Sequence, residues 1–247
     1  MLPTPAPDAP TEPRPSPFSG SDVAIVLGCA ILLPLLVVPA VSELSPMTVF
    51  GVLLPAQWIG NGIGLFIVAR RRRATEVDFG LPILPRAFGG IGVGMLSFIG
   101  ILTLLAPLVQ ALDLDDTSQV AAEQFAQIES PLLLGAAIIS ICVFAPLMEE
   151  LSYRGVLHGA LRNRLSRIPT IAVGAVVFSA AHLSGLEAGI DRYWLVAAIS
   201  MGQIFLFALV LGWLREKDGN IGRAFFAHGA WNAINLIAIL SLPYLEV

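Results

Sequence analysis

Seven strongly polar side chains interrupt long apolar stretches in the second half of the chain. Glu149, Glu150 and Arg154 fall in one stretch, His182 in the next, and His228, Asn232 and Asn235 in the last. A charge near the centre of a bilayer costs ~2.5 kcal/mol or more, so such residues usually face an interior cavity and mark function. Glu150 and Arg154 are four apart on one helical face, with the acid first, the order that favours an ion pair. Glu149 is turned ~100° from Glu150 and has Tyr153 as its i+4 neighbour. The spacing therefore predicts a neutralised Glu150 and an unpaired Glu149 suited to general-base work. His228 and Asn232, again four apart, present two donors on one face, as an oxyanion hole requires. His182, one turn after Phe178, is placed to share a water with Glu149 or to protonate a leaving amine.

A glutamate base, two imidazoles and a carboxamide in a membrane cavity suit hydrolysis of an acyl bond by water, with peptide as the natural substrate. Other intramembrane protease chemistries have their own spacings. The chain contains no HExxH and no GxGD, and Ser184 sits in His-Leu-Ser-Gly, not in a GxSG nucleophile motif. Zinc is an alternative at this point, since Glu149, His182 and His228 could form a His₂Glu site with an open position.

Only helices of sufficient length can position these residues in lipid. Of the 247 residues, 56% are hydrophobic and 13% charged, against roughly 45–50% and about 25% for soluble domains. The mean hydropathy is +0.80. Seven apolar segments, at about 23–42, 46–69, 87–112, 131–157, 168–186, 193–214 and 222–242, approach the ~20 residues a spanning helix needs. The expected fold is an all-α, polytopic transmembrane bundle of about seven spans. Loops after the second, fourth and sixth segments hold eleven of the fourteen basic residues, which places the N-terminus in the cytosol. Helical rise then puts Glu149 ~14 Å, His182 ~21 Å, His228 ~9 Å and Asn232 ~15 Å from the cytosolic end, a common cavity in that half of the membrane.

The remainder is organisational. Residues 1–19 contain seven prolines and read as a disordered tail; 20–130 form N-terminal membrane helices, and 131–247 the catalytic core. A short amphipathic helix is expected within 113–130. Gly60 with Gly64, and Gly90 with Gly94, allow close helix approach. Cys29 and Cys142 lack any metal or disulfide spacing. A net charge of −4 with a single lysine offers no nucleic-acid surface.

At these residues the sequence resembles the CPBP family, which joins type II CAAX prenyl endopeptidases to bacteriocin-processing and self-immunity (Abi) membrane proteins. Glu149-Glu150-Leu-Ser-Tyr153-Arg154 resembles the family's EExxxR, Phe178-Ser-Ala-Ala-His182 its FxxxH, and His228-Gly-Ala-Trp-Asn232 its HxxxN. The resemblance implies that Glu149 activates water, His182 helps to hold it, and His228 with Asn232 stabilises the oxyanion. Glu150, Arg154, Tyr153 and Phe178 would shape the site. It favours a metal-free glutamate mechanism over zinc. The partners it implies are the bilayer and a peptide or lipidated protein substrate.

The expectation is thus an intramembrane endopeptidase of a bacterial cell membrane, its cavity open toward the cytosol. Two rivals use the same residues otherwise: a non-catalytic chaperone or immunity factor of the same fold, and a small transporter with a Glu/His proton relay.

Overall fold

In a computed structural model of the chain, residues 15–40, 45–112, 125, 127–183 and 193–245 are described. Among them every regular element is helical, with no strand. The principal helices are α1 (Gly20–Val37), α2 (Pro46–Arg72), α3 (Gly90–Ala111), α4 (Pro131–Arg162), α5 (Arg167–Ala181), α6 (Tyr193–Asp218) and α7 (Gly222–Leu245). All but α5 are long and apolar enough to cross a membrane. The chain is an integral membrane protein. Its outer surface carries large apolar side chains such as Leu36, Phe66, Leu96 and Leu132, an arrangement stable where lipid replaces water.

The apolar run expected to give a fifth span, 168–186, gives a shorter helix. α5 has 15 residues, or ~22 Å at 1.5 Å per residue, against the ~30 Å hydrocarbon core. His182 ends it: its backbone N–H turns back to the Ser179 carbonyl at 3.0 Å, and its Nδ1–H donates to the Phe178 carbonyl at 2.8 Å. An imidazole that takes a late carbonyl in this way caps a helix from within an apolar sequence. The helix expected within 113–130 falls mostly outside the described residues; of those described, Phe125 is helical and 127–130 are not.

Glycines set the closest helix contacts. A side chain at Gly60 or Gly64 of α2 would run into the α1 backbone at Cys29 and Val26, and one at Gly90 or Gly94 of α3 into the α7 backbone at Arg223 and Ala227. Both pairs therefore pack helices, as small residues four apart do. Around the α3–α7 contact lies the main core: Phe98 and Ile101 of α3, Phe207, Leu211 and Leu214 of α6, and Ala224, Ala227 and Trp231 of α7.

Most of the basic residues meet at one end of the bundle. Arg72 donates through Nε to Asp22 at 2.8 Å and through Nη2 to Ser19 at 2.6 Å. Glu216 receives His158 Nε2 at 2.9 Å and Arg162 Nε at 3.0 Å. Residues 15–18 dock at this end. Asn163 Oδ1 accepts from Ser16 N at 3.0 Å while its Nδ2 donates to the carbonyls of Ser16 and Phe18 at 2.9 and 3.0 Å. Phe18 is buried against Phe79, Val156 and Ala160.

Helix α4, which carries the two glutamates, departs from α geometry twice. Ser140–Phe144 and Glu150–Leu157 are π-helical. A π turn shifts amides to carbonyls five residues back and strands a carbonyl that an α-helix would have paired. The amide of Ala145 goes to Ser140 O, which leaves Ile141 O without its i+4 donor. The amide of His158 goes to Tyr153 O and Gly155 O, which does the same to Arg154 O. Each orphan is met from another helix: Asn232 Nδ2 of α7 donates to Ile141 O at 2.8 Å, and Arg215 Nε of α6 to Arg154 O at 2.9 Å.

Candidate active site

The site lies where the second wide turn of α4 faces α5, α6 and α7. Glu150 is fully buried and pairs with Arg154, whose Nη1 donates to Glu150 Oε1 at 3.1 Å. The four-residue spacing predicted that pair. It did not predict that His228 joins it, with Nδ1 3.0 Å from the same Oε1. Because Oε1 already accepts from Arg154, His228 Nδ1 is the donor. The imidazole is thereby fixed with Nε2 turned toward Glu149, whose Oε2 is 3.6 Å away.

Glu149 lies on the other side of that imidazole. Its Oε2 is buried and, among the described residues, has no hydrogen-bond partner. A buried carboxylate oxygen without a donor is costly and calls for an explanation; Glu150 Oε2 and Asp22 Oδ1 share this state, and Glu149 differs from them in facing the free nitrogen of His228. The structure therefore brings together Glu149, Glu150, Arg154 and His228 from two helices.

Phe178 joins the third helix to this group. Its buried ring lies 4.4 Å beneath the Arg154 guanidinium carbon, a cation–π contact that helps to hold a buried charge. The same ring meets Tyr153 edge-on at 4.9 Å, His228 at 5.7 Å and His182 at 4.7 Å. His182 thus reaches the cluster through Phe178. With its Nδ1–H given to the Phe178 carbonyl, its Nε2 is the nitrogen left for chemistry.

Asn232 is placed differently from the expected matched pair of donors. One Nδ2–H supports the Ile141 carbonyl in the first wide turn, so a single amide hydrogen remains for any other acceptor. Asn235 turns back on its own helix, donating to Trp231 O at 3.1 Å. Gly229, between His228 and Asn232, is required by proximity: a Cβ there would stand 2.6 Å from the Cys142 carbonyl.

Two aromatic residues without a sequence-assigned role complete the wall. Phe207 of α6 packs against His228 at 5.8 Å and stacks on Trp231 at 4.2 Å. Trp231 lay inside the third motif. Phe207 stood in an apolar run with no signal to separate it from its neighbours. Ser152, also unassigned, is buried; its hydroxyl donates to Met148 O at 2.7 Å and lies 3.1 Å from Asn61 Oδ1 of α2.

The donor set bears on zinc. Among the described residues no three His, Cys, Asp or Glu side chains are grouped as a metal ion needs. Glu149 and His228 are neighbours, 3.6 Å apart, and His182 and His228 both touch the Phe178 ring.

Residues 131–234 match the model of the family described as Type II CAAX prenyl endopeptidase Rce1-like. The matched segment runs from the start of α4 into α7 and contains every residue of the cluster, and it links this part of the chain to CAAX-type intramembrane proteases. Helices α1–α3 lie outside it. No curated protein and no solved structure matches the chain.

Proposed function

We propose that the protein is an intramembrane endopeptidase that hydrolyses a peptide bond of a membrane-associated or prenylated substrate with a water activated by Glu149. The observation that carries this reading is the buried Glu149 Oε2, without a hydrogen-bond partner among the described residues, facing at 3.6 Å an imidazole whose other nitrogen is fixed by Glu150.

In this mechanism Glu149 takes a proton from water as the oxygen attacks the scissile carbonyl carbon. The new C–O bond forms and the carbonyl π electrons move to oxygen. His228, oriented by the Nδ1–H···Oε1 contact to Glu150, donates from Nε2 to that oxyanion when the ring carries both protons, and the remaining Nδ2–H of Asn232 supplies a second donor. Collapse re-forms the carbonyl and breaks the C–N bond, while Glu149 returns its proton to the departing amine. His182 Nε2 holds the water. Arg154 and Phe178 hold Glu150 in register, and Tyr153 packs the ring. Nothing in these steps calls on a metal.

The end of the bundle that gathers Arg72, Arg162 and Arg215 is, by the positive-inside rule, the cytosolic one, and the site opens toward that half of a bacterial cell membrane. The test is turnover of membrane-anchored peptides by purified protein. Glu149→Gln, which keeps the shape and removes the base, is expected to lower kcat by about 10²–10⁴-fold, the range for a general base. Full turnover in a folded Glu149→Gln protein would defeat the reading. A cellular phenotype that also survives Glu149→Ala would point to a binding role.

A further inference from the structure

We propose that Arg215 is a positioning residue for the site, acting through the backbone of α4. This rests on the endopeptidase reading and extends it to a residue outside the three motifs. Three observations carry it. The wide turn Glu150–Leu157 leaves Arg154 O without its α-helical donor, because the His158 amide is engaged with Tyr153 O and Gly155 O. Arg215 Nε supplies the missing donor at 2.9 Å. The other wide turn of the same helix is completed in the same manner by Asn232, so a side chain from a second helix at the stranded carbonyl is a repeated device.

The surroundings are built to keep Arg215 in place. Beside its guanidinium runs Gly80, in the left-handed region at φ 86°, and a Cβ there would stand 3.5 Å from Arg215 Cζ and 3.0 Å from Ile221. Gly80 O is in turn fixed by Ile221 N at 3.0 Å. On the next position of α4, Gly155, a side chain would stand 3.0 Å from the Phe79 carbonyl. The loop before α3 therefore presses its backbone against the wide turn on one side and leaves room for Arg215 on the other.

The consequence follows from helix geometry. Beyond the wide turn, α4 is anchored through His158 to Glu216. If Arg154 O lost its outside donor, the turn would relax toward α pairing. Each residue of register changes the relative rotation of the two sides by ~100°, and Glu149 and Glu150 would turn away from His228. Arg215 keeps them facing it.

The experiment compares Arg215→Met, Arg215→Gln and Arg215→Lys in purified full-length protein, by steady-state kinetics on a membrane-anchored peptide and by ¹⁵N resonances of histidine-labelled protein. Arg215→Met is expected to lower kcat by about 10²-fold with KM little changed, as misplacement by an ångström does. It should also shift the His228 imidazole signals away from the Nδ1-donating form. Arg215→Gln keeps an N–H donor without charge and should recover most of kcat; Arg215→Lys keeps the charge but not the aligned donor and should not. A folded Arg215→Met protein with wild-type kcat and unchanged His228 signals would overturn the proposal. If that variant does not fold, the order of the other two decides, and Lys outperforming Gln would overturn it. The resonances need no turnover, so they judge Arg215 even if Glu149→Gln shows that the protein is not a protease.

Discussion

His228 Nδ1 lies 3.0 Å from Glu150 Oε1, the same oxygen that receives Arg154 at 3.1 Å. One buried carboxylate oxygen therefore accepts from both a guanidinium and an imidazole, and removing Arg154 or Glu150 leaves its partner's charge unmatched in a low dielectric. Arg154→Met is expected to cost about 3–5 kcal/mol of stability, the range for breaking a buried pair. Glu150→Leu should do comparable harm. Arg154→Met combined with Glu150→Leu should lose less than the two single changes together, and unfolding in detergent measures all three. Strict additivity would show that the pair is not coupled.

Asn232 has two duties, the Ile141 carbonyl and the proposed oxyanion. Asn232→Ala is expected to lower kcat by about 10²–10³-fold, as loss of one oxyanion donor does, and also to lower the unfolding temperature. Asn232→Asp places an acceptor against the Ile141 carbonyl and should be the less stable of the two. An Asn232→Ala protein that is destabilised yet fully active would assign the residue to the wide turn alone.

Gly229 and Gly92 form a matched control. A Cβ at Gly229 meets the Cys142 carbonyl at 2.6 Å, whereas one at Gly92 meets nothing within 4 Å. Gly229→Ala should cost about 1–3 kcal/mol by overpacking and should disturb His228 next to it. Gly92→Ala should be neutral or slightly stabilising, since alanine is the better helix former. Thermal unfolding separates the two outcomes.

With no three-donor set assembled around Glu149 among the described residues, turnover is expected to survive a strong chelator, and purified active protein is expected to carry no stoichiometric zinc. Activity assays paired with elemental analysis check this. Loss of activity on chelation, restored by added zinc, would instead favour a zinc-dependent mechanism with Glu149, His182 and His228 as the ligands.

The helical fold was legible because lipid demands long apolar segments, and the Glu150–Arg154 pair because four residues bring side chains together in most helical geometries. The fifth segment misled: hydropathy continues through residues 184–186, but the capping hydrogen bond of His182 stops the helix earlier. The wide turns were illegible for a different reason. Nothing in Ser140–Phe144 or Glu150–Leu157 distinguishes π from α pairing, and the donors that stabilise them, Asn232 and Arg215, come from 91 and 61 residues away. The contact between His228 and Glu150 spans 78 residues; motif spacing placed both at similar depth but could not say which glutamate the imidazole would choose.

The bracket that Asn163 makes around the Ser16 peptide couples the segment entering α1 mechanically to the foot of α4. A pull applied through Ser16 would load the helix bearing both acids. Displacing residues 15–18 is therefore an intervention on the helix that carries the site.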